Sequence, residues 1–192
     1  MTGLVVVLDS DVIYGVSSTD LLLTLGKSGL FRPLWTNRIT SDAIRNLLIN
    51  RPELDVAQLQ RRVDMMNLAF PDACIKVPQD LEREMTNHPG DRHVLATAVH
   101  AQAGIVLTRN LRHFPVSALA PFGIEALTPD DLVLRLIPHH AHVVKTAIIS
   151  VASRLNKPAQ TVSELTESLR KNFPRSITHL IEIERDPSSW VS

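Results

Sequence analysis

Cysteine is nearly absent from this chain of 192 residues. Cys74 stands alone, so no internal disulfide and no thiolate-based zinc site can form. A lone cysteine fits a reducing cytosol, and Cys74 reads as a small buried apolar side chain. Aromatic residues make up 4%, being Tyr14, Trp35, Trp190 and five Phe, few for a surface that stacks on unpaired bases. Net charge is missing too, with 20 Lys+Arg against 20 Asp+Glu, which argues against holding nucleic acid by a bulk positive field. No apolar run approaches the roughly 20 residues of a membrane span, and residues 4–8 lack the basic flank of a signal peptide. A soluble cytoplasmic protein without membrane association is therefore expected. What the chain does have is 44% apolar residues, enough for one good core, or for one domain with an appendage.

Residues 4–8 form an apolar, mostly β-branched run that ends in Asp9, as suits a strand buried on both faces of a parallel sheet. Ser18 or Thr19 is expected to cap a helix through Leu21, Leu22 and Leu25, with Gly29 beyond its end. After Pro33, Leu34 and Trp35, Thr40 or Ser41 is expected to cap a second helix through Ile44, Leu47 and Leu48, closed by Pro52. A third begins at Asp55 and reaches the break at Pro71, with the Met65 and Met66 pair as core, followed by a short strand over 73–77. Asp91 opens a helix through Val94, Leu95, Ala98 and Val99, and strands follow at 105–108 and 124–127. Such β and α alternation predicts an α/β fold: a doubly wound parallel sheet flanked by helices, whose site lies at the carboxyl ends of its strands.

Beyond Thr128 the pattern is helical only, over 130–137, 143–155, 163–172 and 176–184. His139, His140 and His142 form a turn after the first of these. Pro158 and Pro174 punctuate them, and an approximate capping box begins at Ser163. Residues 1–132 carry 12 basic and 15 acidic side chains, and 133–192 carry 8 and 5. The acidic excess sits with the sheet, and an all-helical C-terminal extension over 133–192 is expected beside a main domain over 1–132.

Four polar positions fall where a doubly wound fold would gather them: Asp9 after the first strand, Asp42 early in a helix, Asp91 at a helix start and Asn110 after the third strand. Three carboxylates and an amide with no thiolate suit a hard dication, Mg²⁺ or Mn²⁺, rather than zinc. Taken singly, Asp42 and Asp91 read equally well as complements to helix dipoles. Asp9 and Asp11 are harder to dismiss. Two acids behind a buried strand repel by roughly 4 kcal/mol at about 4 Å if the effective dielectric is near 20, and a cation relieves them.

Several stretches together carry a resemblance: Val7-Leu8-Asp9-Ser10-Asp11-Val12-Ile13-Tyr14, Asp20-Leu21-Leu22-Leu23 with Gly29-Leu30-Phe31-Arg32-Pro33-Leu34-Trp35, Arg45-Asn46-Leu47-Leu48, Asp91-Arg92-His93-Val94-Leu95-Ala96, and Thr108-Arg109-Asn110-Leu111-Arg112-His113-Phe114-Pro115. Over about residues 4–132 the chain resembles the PIN-domain ribonucleases, and among them the VapC-type toxins of toxin–antitoxin pairs. The tail resembles the helical extension of one branch. The resemblance implies a PIN-like sheet and cleavage of RNA by a metal-activated water, with Asp9, Asp42 and Asp91 catalytic and, with Asn110, ligating Mg²⁺ or Mn²⁺. Asp11 and Thr108 would support those ligands. Arg38, Arg45, Arg92, Arg109 and Arg112, the basic residues nearest them, would meet phosphate through their guanidinium forks, and His113 lies where it can touch substrate. Structured RNA, tRNA or rRNA, is the implied substrate, with a cognate antitoxin over the acidic site and commonly a homodimer.

The chain departs from the family pattern at three places. Asp42 stands where Glu is usual, Asn110 where Asp is common, and His88 where an acid often precedes the third ligand by three residues. These departures motivate a rival reading as a catalytically impaired PIN-fold module that binds RNA or a partner. A haloacid-dehalogenase-type phosphatase is a weaker rival. Asp9-Ser10-Asp11-Val12 resembles its nucleophile motif, but no Lys occurs between Lys76 and Lys145 to serve it.

Overall fold

The computed structural model describes residues 3–155 and 161–185; the expected break at Pro158 and the aromatic Trp190 lie outside them. In chain order the elements that matter are β1 (Val5–Leu8), α1 (Ser10–Ile13), α2 (Val16–Lys27), β2 (Arg32–Leu34), α3 (Asn37–Asn50), α4 (Val56–Ala69), α5 (Arg92–His100), β3 (Ile105–Leu107), α6 (Val116–Leu119), β4 (Glu125–Leu127), α7 (Pro129–Arg154), α8 (Val162–Arg170) and α9 (Pro174–Arg185). They fall into two compact units, Met1–Gly15 with Phe31–Leu127, and Val16–Leu30 with Thr128–Ser192.

The first unit holds the sheet. Its four strands are all parallel, in the order β2-β1-β3-β4, a PIN-like α/β arrangement with helices flanking the strands. Val6, Val7 and Leu8 of β1 and Val106 and Leu107 of β3 are wholly buried, as residues of a sheet covered on both faces must be. The chain passes from β1 to β2 on one side and later returns to β3 on the other. That reversal opens a crevice at the carboxyl ends of β1 and β3. The ladder runs one residue past the strands, because the Asp9 N–H donates to the Leu107 carbonyl at 2.9 Å and the Thr108 N–H to the Leu127 carbonyl at 2.9 Å.

Several local expectations need correction. Helix α3 starts earlier than expected, because Thr36 rather than Thr40 or Ser41 caps it, its hydroxyl accepting from the Ile39 N–H at 3.2 Å. Thr40 instead donates within the helix to the Asn37 carbonyl at 3.0 Å. The strand expected over 73–77 shrinks to one bridge, Trp35 with Cys74, since β2 has already ended at Leu34 and Pro78 stops further pairing. Asp9 itself caps the short helix α1, which the apolar pattern did not reveal. Met66 is buried, but Met65 is 63% exposed, because neighbouring residues on a helix point about 100° apart.

The second unit packs α2, α7, α8 and α9 together, burying Leu21, Leu22, Leu25, Leu132, Val144, Leu165, Phe173 and Ile177. Helix α2 begins at Val16, two residues before the expected caps, and Gly29 beyond its end takes a φ of +82°, a conformation in which glycine carries no Cβ penalty. The two helices expected over 130–137 and 143–155 are both present along α7, separated by a kink where His140 leaves helical geometry (φ −139°, ψ 25°). Pro138 inside the helix lacks an N–H and crowds the preceding turn, which accounts for the bend. Thr128 forms a capping box with Asp131, and Thr161 one with Glu164 in place of the box expected at Ser163.

Asp130 ties α7 to α9. It is 6% exposed, accepts from the Ser176 N–H at 2.9 Å and hydroxyl at 2.7 Å, and pairs with Arg175 at 3.2 Å. Burial opposes ionisation, but these donors outweigh it and hold the carboxyl below its usual range. Asp130→Ala would leave the buried Ser176 N–H unmet, although its hydroxyl keeps the Asp130 carbonyl at 2.9 Å, so it should cost about 2 kcal/mol of stability. A urea melt beside Glu167→Ala, an exposed change expected to cost well under 1 kcal/mol, checks this.

Candidate metal and nuclease site

Asp9 projects from the end of β1 into the crevice and is 4% exposed. One carboxylate oxygen accepts from the Ser10 N–H at 2.6 Å and the other from the Thr108 hydroxyl at 2.8 Å. Thr108, wholly buried at the end of β3, also lies 3.4 Å from Asp11. One hydroxyl proton serves one acceptor well, so the shorter contact, to Asp9, takes it. Asp11 is held instead by the Arg109 N–H at 3.0 and 3.2 Å, while the Arg109 side chain donates to the Asp11 carbonyl at 3.3 Å.

Burial raises the Asp9 carboxyl from its ordinary 3.8 to about 7, with the charges of Asp11 and then Asp91 adding to it and the hydrogen bonds from Thr108 and Ser10 opposing. Asp11 is raised as well, first by burial, with Asp91 again contributing. Three carboxylates are thus crowded together at the ends of β1 and α5 with too few protein cations to neutralise them. Arg109 is the nearest, and burial lowers its own pKa.

Asp91 stands at the N-terminus of α5, but its side chain makes no capping bond; it faces His113, with Oδ2 2.5 Å from Nδ1. Asn110 lies beside the same imidazole, Nδ2 2.8 Å from Nδ1, and its Oδ1 accepts from Arg112 at 3.0 Å. Asp42 sits in the second turn of α3, too deep to complement the helix dipole. It pairs with Arg45 at 2.9 Å, and its Oδ2 lies 3.3 Å from His93 Nε2. That last approach lacks the alignment of a hydrogen bond, and both His93 ring nitrogens are buried without a hydrogen-bond partner. Burial, then Arg38, pushes the His93 imidazole down, while Asp42, Glu82 and Asp91 pull the other way.

Asp9, Asp11, Asp91, Thr108 and Asn110 are therefore joined by direct contact or mutual field, whereas Asp42 pairs with Arg45 and lies beside His93, whose imidazole feels the charges of both Asp42 and Asp91. Arg38 is held by both oxygens of Glu82 at 2.7 Å, and Arg92 reaches the Asn87 carbonyl at 3.4 Å. Arg38, Glu82 and Arg92, with Gln79, Arg83 and Pro89, line an open cleft of about 390 Å³. Reading the sequence left two features out. One is His93, which no periodicity marks as other than core. The other is the pairing of His88 with His113, whose rings stack at 3.8 Å and 7°.

The donor set fits a dication: one buried and several half-buried carboxylates, two of them raised in part by the charge of neighbouring carboxylates, with an amide beside them, offer the oxygen atoms that hard ions require. Fold and site together define a PIN-like α/β unit with an acidic centre at its switch point. Over 96 residues, 50% of its length, the chain is 38% identical to the protein named "Putative ribonuclease VapC50" of Mycobacterium tuberculosis (strain ATCC 25618 / H37Rv), and it spans 57% of that relative's length. No family model matches the chain, and no solved structure does. Among the described residues no helix is long and apolar enough to cross a membrane.

The raised Asp9 has a signed consequence. Between pH 3.8 and about 7 the folded chain keeps a proton that the unfolded chain loses, so stability falls as pH rises through that window and levels off above it. The full cost is on the order of 4 kcal/mol. In EDTA the melting temperature should therefore fall from pH 5 to pH 8. Asp9→Asn should flatten that slope and melt higher than the parent at pH 8; parallel profiles for the two would contradict it.

Proposed function

We propose that this chain is a metal-dependent endoribonuclease of the VapC toxin kind, cleaving structured RNA such as tRNA or rRNA in the cytoplasm under control of a cognate antitoxin. Residues 1–132 are its nuclease part and 133–192 its helical extension. The observation that carries the reading is the convergence of Asp9, Asp11 and Asp91 at the carboxyl ends of β1 and β3. In this reading Asp9, Asp91, Asp42 and Asn110 hold Mg²⁺ or Mn²⁺. A bound dication there supplies a polarised phosphoryl oxygen and a water of lowered pKa.

The protein groups then have separate tasks. Thr108 keeps one Asp9 oxygen fixed, and the Arg109 N–H keeps Asp11 turned into the cluster. Arg38 and Arg92, on the open cleft, take phosphates on one side of the scissile bond, and Arg109 and Arg112 take them on the other. Arg45 holds Asp42 and can exchange that carboxylate for a phosphate. Recognition rests on backbone and shape, because the chain offers few aromatics for stacking. An antitoxin and a second copy of the chain are the expected protein partners.

A second reading has one observation in its favour: Asp42 is already engaged by Arg45 and His93, as in a binding module with weakened metal affinity. End-labelled tRNA and rRNA pools, incubated with Mg²⁺, Mn²⁺ or EDTA, separate the two. Cuts that need metal and fall at least 100-fold in Asp9→Asn support the nuclease. RNA retained on the folded protein without cleavage supports the binding module.

A further inference from the structure

We propose that His88, Asp91 and His113 form a separate cation position, beside the carboxylate cluster, that selects a first-row transition dication such as Zn²⁺ or Co²⁺ over Mg²⁺. Each contributes one ligand atom, and the three atoms lie within 4.8 Å of one another. Asp91 Oδ2 is 2.5 Å from His113 Nδ1 and 3.7 Å from His88 Nδ1. The Asp91 carboxylate is thus shared with the dication site of the proposed nuclease, but the selectivity rests on the two imidazoles.

The backbone builds this position on purpose-fitted turns. The His88 N–H donates to the His113 carbonyl at 3.1 Å, which locks the two imidazole-bearing segments together. The Asp91 N–H donates to the His88 carbonyl at 2.9 Å, and the His113 N–H to the Asn110 carbonyl at 3.0 Å. The two rings stack nearly parallel; His113 Nδ1 meets Asp91 Oδ2, while His88 Nδ1, 3.7 Å from that oxygen, accepts from the Gly90 N–H at 3.3 Å.

Two imidazoles and one carboxylate suit Zn²⁺, Co²⁺, Ni²⁺ or Mn²⁺, with affinity rising along the series from Mn²⁺ to the later metals, whereas Mg²⁺ prefers oxygen and water. His139, His140 and His142 are the obvious competitor, and all three are exposed on α7. They are absent from the metal-capable groups among the described residues.

Calorimetric titration of tag-free, metal-stripped protein with ZnCl₂, CoCl₂ and MgCl₂, joined to the visible spectrum of the Co²⁺ form, tests the site. One equivalent of Zn²⁺ should bind at least 100-fold more tightly than Mg²⁺. His88→Ala and His113→Gln should each weaken Zn²⁺ about tenfold or more and change the Co²⁺ bands, with circular dichroism unchanged. His88→Asp should narrow the Zn²⁺ to Mg²⁺ ratio by restoring oxygen ligation. Asp9→Asn should abolish the Mg²⁺-induced rise in melting temperature yet keep tight Zn²⁺ binding, so failure of the nuclease reading and failure of this one are distinguishable. Zn²⁺ binding no tighter than Mg²⁺, unchanged in the His88 and His113 variants, or lost when His139, His140 and His142 become Gln, overturns the proposal.

Discussion

The parallel pairing of β1 with β3 is the constraint on which the site depends. It continues one residue past the strands through the Asp9 N–H on the Leu107 carbonyl, and that extra bond brings the next residues, Asp9 and Thr108, side by side. The Thr108 hydroxyl then reaches across to Asp9, and the following peptide N–H, of Arg109, reaches Asp11. Two residues of one turn thus orient two carboxylates of another without a protein counter-charge equal to theirs. Burial in the crevice does the rest, by making ionised Asp9 costly.

Asp91 joins this pair from a different direction. It stands at a helix start where a carboxylate would ordinarily cap the first turn, yet its side chain leaves the orphan N–H groups and turns to His113. A side chain that forgoes a cap worth about 1 kcal/mol is directed by something else, here the turn of residues 110–113 locked to residue 88. The acidic centre and the imidazole pair consequently meet at one residue, and any ion in either position feels the other. Asp42 lies instead beside buried His93, whose imidazole burial disfavours in its charged form.

The helical unit shows how differently another part of the chain is held. Asp130 is also a buried acid, but hydrogen bonds from Ser176 and Arg175 meet it, so its charge is stabilised and its pKa lowered. Asp9 has two such donors and two like charges. The contrast separates an acid whose charge its neighbours satisfy from one whose charge they leave costly.

Much of this was legible in the residues themselves. The β-branched run before Asp9, the helix-period leucines of α2 and the break after Gly29 announce their elements, because local sterics and burial pattern act over a few residues. Oxygen-donor chemistry at Asp9, Asp91 and Asn110 was legible for the same reason: side-chain type bounds ligand type whatever the fold. Helix caps were read less well, as Thr36 outcompeted Thr40 and Thr161 outcompeted Ser163; caps turn on single hydrogen bonds and on what packs outside. Tertiary structure alone decided that α2 joins the C-terminal helices rather than its neighbours in sequence, that Asp11 is drawn into the charged cluster by Arg109, and that His88 stacks on His113. Those outcomes depend on contacts between residues far apart in the chain, which composition and periodicity do not encode, whereas the donor atoms that each side chain can offer are fixed by its residue type.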